Sequence, residues 1–167
     1  MVYATASTAP ADRQSPETAN THQRLGHSLE ALNKYTAARA HIERALAIHM
    51  ATLGPDHPDT ALSHQRLSSV LEGQGNLIKA RTHIERDLAI NLATLGPDPA
   101  TARSRGILGH ILRKLGKRGP AMSQLAQALP VAETTWGSAH PETLIIREEL
   151  SALRAKGIKP SRKRRRH

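Results

Sequence analysis

Histidine is the residue type through which this chain could most readily do chemistry, and it has ten of them. An imidazole exchanges protons near neutral pH and ligates transition metals. Four of the ten fall into two matched sets. His41 and His83 open the words His41-Ile42-Glu43-Arg44 and His83-Ile84-Glu85-Arg86, while His22 and His64 open His22-Gln23-Arg24-Leu25 and His64-Gln65-Arg66-Leu67. The interval from His41 to His83 equals that from His22 to His64. Duplication of one word accounts for such sets without ligation. No His-Glu-x-x-His run occurs, and neither His-Ile-Glu-Arg word carries a second histidine one turn on. These histidines are read as structural or surface residues, and no metal is expected.

Other reaction chemistries lack their residues. There is no cysteine, which removes disulfides and thiolate nucleophiles together. Gly54-Pro55 and Gly96-Pro97 are turns without the lysine and hydroxyl of a phosphate loop. Glu148 and Glu149 are adjacent, so on a helix they point in different directions. No serine stands in a nucleophile-elbow word. The expectation is a non-enzyme with no catalytic residues and no cofactor.

Cationic side chains are the second resource. The formal net charge is +10, from 24 Lys and Arg against 14 Asp and Glu. Eight of the cations fall between Arg154 and His167, where there is no acid, so the remainder carries 16 basic and 14 acidic residues, about +2. The basicity therefore belongs to a tail. Arg162, Lys163, Arg164, Arg165 and Arg166 could pair with phosphates in a salt-dependent, sequence-blind way, or serve as a nuclear-import address in a eukaryote. No aromatic residue is interleaved to stack bases.

The elements that would position these groups are helices. Two Tyr, one Trp and no Phe leave Leu, Ile and Ala to build the core, which suits closely packed helices. No apolar run reaches the ~20 residues of a bilayer span, and the stretch from Met1 to Gln14 lacks a secretory hydrophobic segment. The expected location is cytoplasmic, or nuclear in a eukaryote, with no membrane partner.

Larger words repeat around the histidines. Ala51-Thr52-Leu53-Gly54-Pro55-Asp56 returns as Ala93-Thr94-Leu95-Gly96-Pro97-Asp98. Four phrases share one pattern: Ser15-Pro16-Glu17-Thr18, His57-Pro58-Asp59-Thr60, Asp98-Pro99-Ala100-Thr101 and His140-Pro141-Glu142-Thr143. Their prolines are evenly spaced, except that the step from Pro58 to Pro99 is shorter by a single position. Proline suits the first helical position, where an N–H would have no partner, so each phrase predicts a helix start. After each start comes a helix A, with Leu25, Leu67, Leu108 and Leu150 in equivalent places. Small residues follow them, Gly26, Ser68, Gly109 and Ser151, where a neighbour could approach closely. Turns are predicted at Leu32-Asn33-Lys34, Gln74-Gly75-Asn76 and Leu115-Gly116-Lys117, since Asn and Gly accept a left-handed cap.

A helix B follows each of these turns. Its apolar stripe is Tyr35, Ala38, Ile42, Leu46 and Met50 in the first repeat, then Leu77, Ala80, Ile84, Leu88 and Leu92, then Ala121, Leu125 and Leu129. Each B helix should stop at Leu53-Gly54, Leu95-Gly96 or Trp136-Gly137. Pro130 lies inside the third and is expected to kink or break it, at about 3 kcal/mol. A fixed period of this size marks stacked hairpins.

With their Ala-Leu-Ala-Ile and Leu-Gly-Pro-Asp-His-Pro-Asp-Thr words and Gly-centred inner turn, these hairpins resemble tetratricopeptide repeats of the longer, kinesin-light-chain type. The resemblance implies an all-α, right-handed α-α superhelix of three helix hairpins plus a C-terminal capping helix. It places repeats at about 15–56, 57–97 and 98–139 and the cap at 140–155, flanked by a loose segment 1–14 and a basic, disordered tail 156–167. In that family the A helices line a concave groove that meets peptides. Carried over from the leucines, the groove residues are Asn20, Gln23, Arg24 and His27, then Leu62, Gln65, Arg66 and Ser69, then Arg103, His110 and Arg113. The family's Leu-Asn-Asn-Leu-Ala run is replaced here by the two His-Gln-Arg-Leu words. The implied function is a protein-interaction scaffold that binds a peptide or protein segment. The basic, amide-rich set suits an acidic one, because guanidinium forks grip carboxylates at two points. The alternatives are a nucleic-acid-associated protein acting through its tail and the sensor arm of a larger signalling protein.

Overall fold

A computed structural model describes residues 14–155. They form seven helices and, among the described residues, no strand. The chain divides into two compact units, one ending at Gly96 and the other beginning at Pro97. The first holds α1 (Pro16–Ala31), α2 (Tyr35–Thr52), α3 (Pro58–Gly73) and α4 (Leu77–Thr94). The second holds α5 (Pro99–Lys114), α6 (Arg118–Trp136) and α7 (Pro141–Ala155). Three hairpins result, α1–α2, α3–α4 and α5–α6, and α7 packs on α6 as a cap.

All four A helices begin on the predicted prolines, Pro16, Pro58, Pro99 and Pro141. The preceding side chain caps the start. Ser15 Oγ accepts from the Thr18 N–H at 3.2 Å, and Asp98 accepts from the Ala100 N–H at 2.9 Å. His57 and His140 do the same through Nδ1, at 3.1 and 3.3 Å from the N–H groups of Asp59 and Glu142. The inner turns close on a left-handed residue, Asn33 at φ 57°, Gly75 at 76° and Gly116 at 73°. Each B helix ends on a glycine of the same hand, Gly54, Gly96 or Gly137.

Three of the four small residues after the equivalent leucines admit a neighbour; the fourth, Ser151, is exposed and donates only to Glu148 O in its own helix. A Cβ on Gly26 would stand 2.5 Å from Ile42 Cδ1, and one on Gly109 would stand 2.6 Å from Leu125 Cγ. Ser68 uses the same closeness to donate to the Ala80 carbonyl at 2.8 Å. The first unit's core is Ala19, Ala38, Ile42, Ala45, Ile48, Leu67, Val70, Leu71, Ala80, Ile84 and Ile90. In the second unit Ala102, Leu108, Ile111, Leu125, Ala132, Ile146 and Leu150 are buried.

Three sequence expectations need correction. The B-helix stripe does not run straight to Met50 and Leu92, which are 46% and 41% exposed. In α2 it broadens to Ala45, Ile48 and His49, because α2 packs against both α1 and α3 and must bury two faces. Leu25 is exposed while its counterparts Leu67, Leu108 and Leu150 are buried, as no described helix covers its side of α1. Finally, α6 runs unbroken through Pro130. Pro130 and Ala126 both lie on the exposed face, so water can serve the Ala126 carbonyl that proline leaves without its N–H.

Candidate functional site

On α1, residues Asn20, Arg24 and His27 are spaced by four and three and share one exposed face. On α3 the same stripe is Leu62, Arg66 and Ser69, with Gln65 beside it. The two helices touch, and the stripes are sewn together by side chains. Gln23 Nε2 donates to Ser63 Oγ at 2.6 Å, and Ser69 donates to a Glu30 carboxylate oxygen. Gln23 is therefore buried, holding α1 to α3, and is withdrawn from the exposed set. Glu30 also stands 3.8 Å from His27. Arg24 and Arg66 differ from these neighbours: among the described residues neither guanidinium has an ion pair or hydrogen bond, and the Nε of Arg66 is buried without a partner.

The second unit treats its cations differently. Arg103 Nε lies 3.0 Å from a carboxylate oxygen of Glu142, and its guanidinium sits 5.3 Å from the Trp136 ring centroid. His110 Nδ1 and Arg113 Nη2 approach one oxygen of Glu149, at 2.5 and 3.4 Å. The cap helix α7 thus brings a carboxylate to all three predicted groove residues of this unit. The sequence reading did not place Glu30, Glu142 and Glu149 beside the groove residues. The signal was there, since Arg103 with Glu142 and His110 with Glu149 are each 39 residues apart, the reach from one A helix to the next.

The histidines also come together in an unexpected way. His22 and His41 face each other across the α1–α2 hairpin with their Nδ1 atoms 2.9 Å apart, and His64 and His83 repeat this across α3–α4 at 2.9 Å. The rings lie 5.1 and 5.2 Å apart between centroids. At the same place in the third hairpin, Arg105 donates to the Gln124 side-chain oxygen at 2.8 Å. All three pairs are 19 residues apart in the chain. Burial lowers the pKa of His22, helped by His41 and Arg44. Burial, His83 and Arg86 lower that of His64 to about 4. For His83 burial again leads; Glu43 opposes the shift, while Arg39 and Lys79 add to it.

Nucleophile chemistry finds no footing in the one serine–histidine contact described. Ser63 Oγ lies 2.8 Å from His49 Nδ1, but both residues are fully buried and beyond a substrate's reach. The contact is structural: it joins α2 to α3 while Gln23 joins α1 to the same hydroxyl. A cleft of about 460 Å³ in the second unit is lined by Arg113, Arg118, Glu148 and Glu149, among others. Its charges are partly spent, since Arg113 faces Glu149 and Arg118 donates to the Leu153 and Arg154 carbonyls.

Paired helices that recur at a near-constant interval, each A helix opened by proline and each hairpin closed by a left-handed turn, define an all-α helical-repeat protein. The chain belongs to the tetratricopeptide repeat family, whose model matches residues 17–90 and 64–134. Among solved structures it is similar to the nearly identical TPR-like repeats of a Podosopora anserina protein described as a putative kinesin light chain. Identity is 24%, over 86% of this chain and 69% of that one, with a TM-score of 0.77. BtubC (BKLC) from P. vanneervenii aligns with a TM-score of 0.77 at 17% identity, over 86% of this chain and 58% of that one. The Sgt2 TPR domain from Aspergillus fumigatus gives 0.63 at 17% identity, over 85% and 80%. No curated protein matches the chain. These likenesses carry the fold. The tetratricopeptide repeat fold generally mediates protein–protein interaction.

Two predictions fall elsewhere. The phosphate-binding candidates Arg162 to Arg166 lie outside the described residues. No helix among the described residues is long and apolar enough to cross a membrane.

Proposed function

We propose that the chain is a non-enzymatic binding module that captures an acidic peptide segment on the α1–α3 face, with Arg24 and Arg66 as its anchors. The observation that supports this is the contrast in pairing. Arg103, His110 and Arg113 have carboxylates from α7, whereas Arg24 and Arg66, one repeat apart, have none among the described residues. The Nε of Arg66 is buried, so a docking carboxylate would meet the outer part of the guanidinium, which has no partner among the described residues. Leu62, 37% exposed, and Leu25, 44% exposed, add apolar area on the same helices. A surface built from rigid helices confines the ordering loss to the ligand. Asn20 and Gln65 supply amide groups around the two anchors, while the Ser69 hydroxyl is already given to Glu30.

Fluorescence anisotropy with a labelled Glu- and Asp-rich peptide tests the reading. The double variant Arg24→Glu, Arg66→Glu should weaken binding at least tenfold, and wild-type binding should weaken as salt rises. Undiminished affinity in the double variant ends the proposal. Retention of RNA or DNA that is lost on deleting residues 161–167 would favour the tail-based alternative.

A further inference from the structure

Given the acidic-peptide reading of the α1–α3 face, we infer that Glu30 is an internal competitor for Arg66, held aside by Ser69, and that this arrangement sets how tightly the face takes its ligand. The repeat register puts the two side chains within reach of each other. Gly26 against Ile42 in the first hairpin and Gly109 against Leu125 in the third fix which positions correspond. By that correspondence Glu30, His27 and Arg66 stand where Arg113, His110 and Glu149 stand in the second unit. There His110 Nδ1 lies 2.5 Å and Arg113 Nη2 3.4 Å from one Glu149 oxygen, at chain separations of 39 and 36 residues. His27 and Glu30 precede Arg66 by the same two intervals. The signs are exchanged, with the acid on the earlier helix and the guanidinium on the later one.

A Glu30–Arg66 pair is therefore available between α1 and α3, yet it is not made. Glu30 instead accepts from the Ser69 hydroxyl, and its other oxygen lies 3.8 Å from His27 Nδ1. Ser69 follows Arg66 by three residues, so the two side chains are neighbours on one face of α3. A rotamer change in Glu30 would carry its carboxylate from one to the other. Two arrangements thus compete. With Glu30 on Ser69, the outer guanidinium of Arg66 is open to a ligand. With Glu30 on Arg66, the chain satisfies the guanidinium itself and a ligand carboxylate must displace it. A ligand that binds only the open arrangement loses affinity in proportion to the fraction of molecules that are closed. Ser69 is then a positioning residue: its hydroxyl keeps Glu30 off Arg66 and touches no ligand.

Anisotropy titration of the full chain with the labelled Glu- and Asp-rich peptide tests this through a double-mutant cycle. Glu30→Gln removes the competing charge and should tighten binding about two- to fivefold. Ser69→Ala releases Glu30 toward Arg66 and should weaken binding by a similar factor. Ser69→Thr keeps the hydroxyl and should bind as the wild type does. In the Glu30→Gln background, Ser69→Ala should have no effect, because no competitor remains. Far-ultraviolet circular dichroism checks that each variant folds. Equal weakening by Ser69→Ala in both backgrounds, weakening in neither, or no gain from Glu30→Gln overturns the inference while leaving the acidic-peptide reading intact. A wild type that does not bind the peptide, or binding indifferent to Arg24→Glu with Arg66→Glu, overturns that reading and this inference with it.

Discussion

The Nδ1 atoms of His64 and His83 lie 2.9 Å apart across the α3–α4 hairpin. A hydrogen bond of that length between two imidazole nitrogens needs one to donate and the other to accept, so at least one ring must be neutral. Protonating both would set two cations face to face in a half-buried seam that already holds Arg86.

Acid should therefore loosen the first unit before its carboxylates titrate fully. His22, His64 and His83 all have pKa values in the fold below that of a free histidine, and His64 falls to about 4. The unfolded chain then binds more protons than the folded one between roughly pH 6.5 and 4. Stability is fully present above the unfolded value and declines as pH falls through this window. After discounting for the exposed part of the ring, His64 should account for about 1–2 kcal/mol. Thermal unfolding followed from pH 7.5 to 4.5 measures it. The variant His64→Asn should flatten the slope; an unchanged slope would show that the imidazole seam is not the acid-sensitive element.

Two glycine-to-alanine changes should differ sharply in cost. A Cβ on Gly109 would press on Leu125 Cγ at 2.6 Å and Cδ2 at 2.8 Å, so α5 and α6 must part or Leu125 must leave its rotamer. Gly109→Ala should destabilise by about 1–3 kcal/mol despite alanine's better helix propensity. A Cβ on Gly119, in the first turn of α6, meets nothing within 4 Å. Pro120 follows it, and the proline Cδ crowds a Cβ on the preceding helical residue, which offsets the entropic gain, so Gly119→Ala should change stability by less than about 0.5 kcal/mol. Urea unfolding of the two variants, compared at equal slope, gives the two costs.

Removing Pro130 should strengthen α6. The helix already passes through this residue without a break, with the proline and the carbonyl it orphans on the exposed side. Pro130→Ala restores one backbone hydrogen bond and removes the ring's crowding of the previous turn, for a gain of about 1–3 kcal/mol. Equal or lower stability would mean that the proline's restriction of the unfolded chain outweighs the lost bond.

Hairpins, turns and helix ends were legible in the chain because each rests on local chemistry. Proline suits a helix's first position wherever it occurs, and Asn or Gly at a left-handed φ ends one wherever it occurs. Words repeated at a fixed interval then make every local reading several times over. Hence Pro16, Pro58, Pro99 and Pro141 could be named as helix starts, and Asn33, Gly75 and Gly116 as turns, before any coordinates. Register also supplied the close contacts at Gly26 and Gly109.

What the tertiary structure alone decided is which side chains meet. The spacings of 19 and 39 residues that join His64 to His83 and Arg103 to Glu142 belong to no single helix. They depend on how far one helix slides along the next and on which way each turns. That is settled by how Ala38, Ile42, Ala80, Ile84 and Leu125 pack, and a period read from sequence leaves it open. The same packing withdrew Gln23 from the exposed face, gave Arg103, His110 and Arg113 their carboxylates, and left Arg24 and Arg66 without them among the described residues. Sequence alone determined the elements and their order, because backbone preference is local. Side-chain pairing across helices had to wait for the fold, because it is not.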